Sequence, residues 1–230
     1  MRPREIPIQW CILVVSLFVL SDVNLRSQTD PTKPNGILLI QAIREHNLAE
    51  AHNILRAGAK LDVFDNFGDT PLEAAISGGY TDFALELLTA GADPSFTPPG
   101  GDTPLMGAVW QRNLTLAQEL LHRSVQVNAA NAKGVTALMW APHNRSDGKM
   151  VQLLLDAGAD PNAKSVEGLT PLLSAAMSGD ALAAEKLLKA GADPTVGDRY
   201  GKTAESEACH RGEKGHAQVC AVVRDALRKK

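Results

Sequence analysis

The chain has 230 residues, of which 44% are hydrophobic and 21% are charged, so it is long enough and apolar enough to bury a sizeable core. Aromatic residues make up 4% of it, which favours closely packed helices over an aromatic-rich β-sandwich. The net charge of −3 and the lack of any basic run exclude the electrostatic footprint of a nucleic-acid binder.

Residues 1–27 have the layout of a secretory signal peptide. A short basic start precedes an apolar stretch at residues 11–20, and small polar residues follow, with Ser21 and Ser27 as candidate cleavage points. The apolar stretch is shorter than the roughly 20 residues of a membrane-spanning helix. An uncleaved anchor and a buried helix are the alternatives. We expect the rest of the chain to be periplasmic or secreted, with membrane contact only if the segment stays as an anchor.

From residue 35 onward the sequence repeats itself. A glycine followed two residues later by a threonine recurs at spacings of 33, 33, 34 and 33, starting with Gly68 and Thr70. The later glycines of this ladder are Gly101, Gly134, Gly168 and Gly201. A second ladder keeps the same register and consists of Gly58, Gly91, Ser124, Gly158 and Gly191. Two ladders with one period predict a solenoid of stacked units.

Each unit is predicted to contain two short helices. The threonine caps the first helix and a proline often follows it, as in Thr70 and Pro71. The first helix is rich in alanine and the second ends in two leucines before a glycine such as Gly158, which can adopt the left-handed conformation that stops a helix. A pair of helices this small cannot bury its apolar face alone, so neighbouring units must stack.

This pattern strongly resembles the ankyrin repeat family, whose consensus is close to G-x-TPLH-x-A, then G, then LL-x-x-GAD. The resemblance implies an all-α ankyrin-repeat solenoid of helix-turn-helix units with protruding β-hairpin-like loops. It covers residues 35–230, after a linker at residues 28–34. The six predicted units are 35–66, 67–99, 100–131, 132–165, 166–198 and 199–230. The first unit lacks the TP motif and the last is unusually polar, and we expect both to be caps.

The chain departs from the family pattern in three ways. The histidine usual after TPL is replaced by Ile40, Glu73, Met106, Met139, Leu173 and Ser206, which leaves open what replaces its loop-to-helix hydrogen bonding. Ser124 stands where a glycine is expected, and we predict a less sharp helix end there. Pro142 lacks an amide hydrogen and predicts a shortened first helix in the fourth unit.

The resemblance also implies a partner-binding surface, because ankyrin repeats use loop tips and the outward positions of each first helix. The outward positions are Ala74, Ser77, Gly78, Gly107, Trp110, Gln111, Trp140, His143, Asn144, Ser174, Met177 and Ser178. Aromatic residues predicted at the loop tips are Phe64, Phe67, Phe96 and Tyr200. We predict that Trp110 and Trp140 anchor a protein partner. The alternative is that both fold back and pack over the stacked helices.

The last unit holds Cys209, His210, His216 and Cys220. Cys209 aligns with Ala176 and Cys220 with Leu187, at positions that we expect to be buried and to face each other across the helix pair. In an exported protein two such cysteines oxidise, which predicts a Cys209–Cys220 disulfide. Free buried thiols and a zinc site, with His216 and Cys220 four residues apart on one helical face, are the alternatives.

The sequence holds no recognisable catalytic pattern. None of the six histidines lies in HExxH, and no G-x-S-x-G or phosphate-binding glycine loop occurs. We therefore predict a non-enzymatic interaction module or scaffold without cofactor or metal, which binds a protein on its concave face outside the cytoplasm. The alternatives are a periplasmic immunity-type inhibitor of a toxic enzyme, and a metal-binding or enzymatic protein that uses the Cys209–Cys220 cluster.

Overall fold

The computed structural model describes residues 35–97, 101–144, 148–211 and 213–229, so the predicted signal peptide and linker lie outside the described residues. Two helices lie within each of the six predicted units, and the described residues contain no β-strand, so the predicted all-α fold is confirmed. The helices are α1 (Asn35–Arg44), α2 (Leu48–Arg56), α3 (Pro71–Ser77), α4 (Thr81–Thr89), α5 (Pro104–Trp110), α6 (Leu114–His122), α7 (Ala137–Trp140), α8 (Lys149–Asp156), α9 (Pro171–Ser178), α10 (Ala181–Lys189), α11 (Ala204–His210) and α12 (Lys214–Arg228). Within this described part, none of these helices has the length and apolar character needed to cross a bilayer.

The core is continuous along the stack. First helices pack on first helices of the next unit, as α3 does on α5, and second helices on second helices, as α4 does on α6. The leucines of the TPL or TAL motif are at most 2% exposed, in Leu72, Leu105, Leu138 and Leu172. Fully buried alanines lie beside them in Ala75, Ala108, Ala141 and Ala175. Their small side chains let neighbouring helices approach closely, which explains the alanine-rich sequence.

Threonines cap the first helices of four units. The hydroxyl oxygen accepts a hydrogen bond of 3.0 to 3.2 Å from the backbone N–H three residues later in Thr70, Thr103, Thr170 and Thr203. These bonds satisfy an N–H group that has no partner inside the helix. Thr136 differs, because its hydroxyl is buried and lacks a hydrogen-bond partner within the described chain.

Residues at the position of the missing histidine complete this capping in three units. The backbone N–H of Thr70 donates to Glu73 Oε2 at 3.0 Å, and that of Thr203 donates to Ser206 Oγ at 2.9 Å. Met106 Sδ takes the same place against the N–H of Thr103 at 3.5 Å. Capping boxes within the first helices therefore replace the hydrogen bonding that the missing histidine would provide.

Two irregular units were singled out from the sequence. The prediction for Ser124 is wrong: it takes a φ of 60°, in the left-handed region of the ladder glycines, and α6 ends as sharply as its counterparts. The prediction for Pro142 is confirmed, since α7 has four residues and a 3-10 helix (Ala141–Asn144) continues it.

The loops form hairpin-like turns, as predicted. The N–H of Ser165 donates to the carbonyl of Leu169 at 3.0 Å, and the N–H of Val166 donates to the carbonyl of Lys133 in the preceding loop at 2.9 Å. Asn128 links units in another way: its amide oxygen accepts from the N–H of Asp160 at 2.8 Å, and its Nδ2 donates to the carbonyl of Gly158 at 3.0 Å. The loops are therefore held in register by the units that follow.

Candidate protein-binding groove

A groove opens where the first helices of units two to four meet the loops before them. Its volume is about 470 Å³, and it is lined by residues 67–69 and 101–104 together with residues of α3, α5 and α7. Trp110 and Trp140 are both among its lining residues. We name this cavity the tryptophan groove.

The two tryptophan rings contact each other edge to face. Trp110 is the last residue of α5 and Trp140 the last of α7, and their ring centroids lie 5.0 Å apart at an interplanar angle of 80°. Trp140 is half-buried and packs against the core, whereas Trp110 is 59% exposed. The alternative that the tryptophans pack over the stacked helices therefore holds in part for Trp140. Trp110 presents most of its ring to solvent.

The floor of the groove is apolar and tightly built. Ile76 and Met106 are buried, and a Cβ at Gly107 would lie 3.0 Å from Cγ2 of Ile76. The glycine thus permits the close approach of α3 and α5. Gln111 Nε2 donates to the carbonyl of Ser77 at 3.1 Å, which ties the ends of these helices together. The floor of the groove is therefore preformed in the unbound chain.

Three carboxylates line the groove, from Asp69, Glu73 and Asp102. Asp69 pairs with the guanidinium of Arg44 from α1. Asp102 accepts a hydrogen bond of 2.6 Å from Nδ2 of Asn131 in the next loop. Arg44 is not itself one of the lining residues, so the described lining is acidic and aromatic in character.

Glu73 lies partly buried among these acids, and burial affects its pKa. Its pKa is raised from 4.5 to about 7, first because burial disfavours the charged carboxylate. Hydrogen bonds from Thr70 oppose this shift, and the negative charges of Asp69 and Asp102 add to it. The groove therefore contains a carboxylate that changes charge near neutral pH.

The four loop-tip aromatics do not act as one group. Phe67 is 82% exposed, lines the groove and lies under the guanidinium of Arg44, at 4.6 Å from ring centroid to guanidinium carbon. Phe64 and Phe96 instead stack on each other, with centroids 4.6 Å apart, and lie outside the groove lining. Tyr200 is 67% exposed beside Arg199, also outside the lining.

The predicted outward positions of the helices are only partly correct. Ala74 is 4% exposed and Ser174 fully buried, where the Ser174 hydroxyl donates to the carbonyl of Met139 at 2.6 Å. Ser174 therefore faces the first helix of the preceding unit, and Ala74 lies in the core, so neither position points outward. Met177 is 39% exposed but outside the groove lining. His143 and Asn144 lie in the 3-10 helix, and their side chains are outside the described residues.

Sequence reasoning missed the acidic residues of the groove. A signal was present, since the motif GDTP occurs in two adjacent units and places Asp69 and Asp102 at equivalent positions. The sequence identifies Glu73 only as the residue that replaces the family histidine, which does not show that it lies at a surface. Its environment depends on Asp102, which is contributed by the next unit.

The predicted disulfide is present between Cys209 of α11 and Cys220 of α12, with a Cα–Cα distance of 5.1 Å. Both cysteines are half-buried, so the expectation that they are buried is wrong, whereas their neighbours Ala208 and Val219 are fully buried. The bond uses both thiols that the zinc alternative needs as thiolates. His210 Nδ1 and His216 Nε2 each donate to a backbone carbonyl, of Ser206 and Met177 respectively.

A family model described as "Ankyrin repeats (3 copies)" matches residues 36–131, 85–165 and 138–224. These matches together cover most of the chain, in agreement with the six helix pairs. The chain belongs to the ankyrin repeat family. Ankyrin repeats are protein-protein interaction modules and are generally non-enzymatic.

One relative from Bos taurus is described as "Inactive serine/threonine-protein kinase TEX14". It is 36% identical over 88 residues, which cover 38% of this chain and 6% of that protein. The similarity therefore concerns a short part of a much longer relative.

Proposed function

We propose that this chain is a non-enzymatic module that binds a protein partner in the tryptophan groove, on the concave face of its repeats and outside the cytoplasm. Membership of the ankyrin family supports the binding of a protein. The main support for this groove as the binding surface is Trp110, whose large ring is 59% exposed beside the preformed cavity.

Physical reasoning supports the tryptophan pair as the anchor. Buried tryptophans contribute disproportionately to interface energies, and binding buries most of an exposed ring such as that of Trp110. Its edge-to-face contact with Trp140 and the packed floor reduce the conformational freedom that binding must remove. A rigid aromatic surface of this kind suits recognition by shape.

The test is affinity capture from the exported fraction of source cells, with the native chain compared with Trp110→Ala. Trp110 is chosen because its exposure predicts an unchanged fold, which circular dichroism would check. The control is Leu182→Ala, which removes a 42% exposed apolar side chain outside the groove lining. A partner retained by the native chain and by Leu182→Ala but lost by Trp110→Ala supports the proposal. Equal retention by all three would place the binding surface elsewhere.

Export is the second part of the proposal. Its support is the basic and apolar layout of residues 1–27 and the Cys209–Cys220 disulfide, a bond that persists in oxidising compartments. The test is mass spectrometry of the N-terminus in fractionated source cells, for the native chain and for Val15→Arg within the apolar stretch. We expect the native chain outside the cytoplasm and the variant retained inside. Native chain found in the cytoplasm contradicts this part.

A further inference from the structure

We propose that the partner segment held in the tryptophan groove carries an arginine or lysine side chain next to an apolar one, with the cation between the groove carboxylates and the tryptophan rings. This inference rests on the proposed function and adds the chemistry of the partner. It commits the groove to one occupant, a basic and apolar segment of another protein.

Charge is the first support. Among the described residues that line the groove, three are carboxylates and none is lysine, arginine or histidine. Arg44 pairs with Asp69, and Asp102 is held by the neutral amide of Asn131. One cation against Asp69, Asp102 and a Glu73 that is partly protonated near pH 7 still leaves an excess of negative charge, which draws a basic side chain towards the cavity.

The aromatic surface is the second support. A guanidinium or ammonium group is attracted to the face of an aromatic ring, most strongly to that of tryptophan. The chain already uses this arrangement beside the groove, where Arg44 lies over Phe67 while it pairs with Asp65 and Asp69. The groove offers the same two elements, carboxylates and the exposed ring of Trp110.

The apolar floor specifies the second side chain. Ile76 and Met106 are buried aliphatic residues under the cavity, and Gly107 leaves it open above α5. An aliphatic side chain next to the cation would cover this floor and the exposed part of the Trp110 ring. Water leaving both surfaces would then favour binding.

Glu73 makes the binding of a cation depend on pH. The charged groups around it are Asp69 on its own loop, Asp102 on the next loop, and Arg44 of α1, which pairs with Asp69. A bound cation favours the ionised carboxylate, so binding lowers the raised pKa of Glu73. Affinity for an arginine side chain therefore rises with pH through the region near 7.

The experiment is a titration of the oxidised, exported chain, observed through the NMR signals of the indole N–H groups and of the backbone amides. The probes are two blocked peptides at millimolar concentration, Gly-Leu-Arg-Gly and the same peptide with citrulline, which has the shape of arginine without its charge. Spectra of Trp110→Phe and Trp140→Phe assign the indole signals, and the backbone amide of Leu182, outside the groove lining, reports non-specific binding. We expect about tenfold weaker binding of the citrulline peptide at Trp110 and Trp140.

Two variants separate the groove from general charge effects. Glu73→Gln keeps an oxygen that accepts from the N–H of Thr70 and removes the charge. Glu185→Gln removes the same charge from an exposed position on α10 outside the groove. We expect Glu73→Gln to reduce the preference for arginine to about twofold and to flatten its pH dependence, and Glu185→Gln to leave both unchanged.

The outcomes distinguish this inference from the proposed function. Equal affinity for both peptides or equal effects of the two variants overturns the preference for a cation. A shift of the Leu182 amide alone, or the absence of any shift, overturns it as well. The capture experiment with Trp110→Ala tests the groove independently of the peptide chemistry. A partner lost by Trp110→Ala while the two peptides bind equally would uphold the function and reject the cation.

Discussion

Units two to four and units five and six use one repeat to build different surfaces. Four residues after the capping threonine, unit four places Trp140 at the surface, whereas unit five places Ser174 in the interior against α7. Seven residues after it, unit three has Trp110 at 59% exposure and unit five has Met177 at 39%. The scaffold is common to both regions, so the surface depends on individual residues at the helix ends.

The two regions also differ in how they are stabilised. The middle units are packed on both sides, while α12 is the last described helix and has a single neighbouring unit on the stack. A covalent link between Cys209 and Cys220 ties α12 to α11. The comparison predicts that stability changes are largest in the last unit and that binding changes are largest in the middle.

Removal of the disulfide is expected to have the largest effect on stability. The cysteines are separated by 11 residues, and Cys209→Ser with Cys220→Ser should lower the free energy of unfolding by about 3 kcal/mol. Urea denaturation measures this change, and hydrogen exchange should locate it in α11 and α12. Native chain treated with a reductant is the control and should match the variant. Loss of protection in α3 and α5 instead would contradict a local role.

Trp110→Ala is expected to have the next largest effect, this time on binding. Loss of the exposed ring should weaken partner affinity by about 2 kcal/mol, and Met177→Ala should change it by less than about 0.5 kcal/mol because Met177 lies outside the groove lining. Calorimetry with the captured partner measures both values. Equal losses for the two variants would mean that the interface extends along the whole stack.

The threonine caps provide a smaller and matched comparison. Thr103→Val removes a hydroxyl that accepts from the N–H of Met106, so it should lower the free energy of unfolding by about 1 kcal/mol. Thr136→Val removes a buried hydroxyl that has no hydrogen-bond partner among the residues that the structure describes, and it should be neutral within about 0.5 kcal/mol. Thermal denaturation of both variants tests this. A large cost at Thr136 would show that its hydroxyl is satisfied in solution.

The smallest expected effect is the pH dependence of stability through Glu73. Its pKa is higher in the folded chain, about 7 against 4.5, so the folded state binds a proton more tightly than the unfolded state. This contribution is complete below pH 4.5 and is lost as the pH rises to about 7. Because the Glu73 carboxylate is partly accessible to solvent, we expect its pH-dependent contribution to the free energy of unfolding to stay under about 1 kcal/mol. The denaturation midpoint plotted against pH should have a different slope in the native chain and in Glu73→Gln over this range. Identical slopes would contradict the raised pKa of Glu73.

Much of the fold could be predicted because the relevant information is local. Threonine caps such as Thr170, helix-ending glycines and the short helix before Pro142 follow from the preferences of single residues. The exception is Ser124, which adopts the left-handed conformation despite its side chain.

The candidate site was predictable only in part. Trp110 and Trp140 could be identified because their repeat positions imply a shared surface, but the different burial of the two rings could not. Phe64 and Phe96 were assigned to the loop tips, and their mutual stacking depends on the path of two successive loops. Ala74 and Ser174 were misplaced because the distance between neighbouring helices is a property of the assembled stack.

The sequence by itself determined the family, the unit length and most helix starts and ends, because a periodic pattern and local capping chemistry carry that information. It predicted the pairing of Cys209 with Cys220 but left free thiols and a zinc site as alternatives, and the structure shows the bond. The tertiary structure decided the groove, since it brings Glu73 of one unit near Asp102 of the next and sets the two tryptophan rings edge to face. Burial, pKa shifts and ring contacts depend on distances between units, and those distances arise from the packing of whole helices.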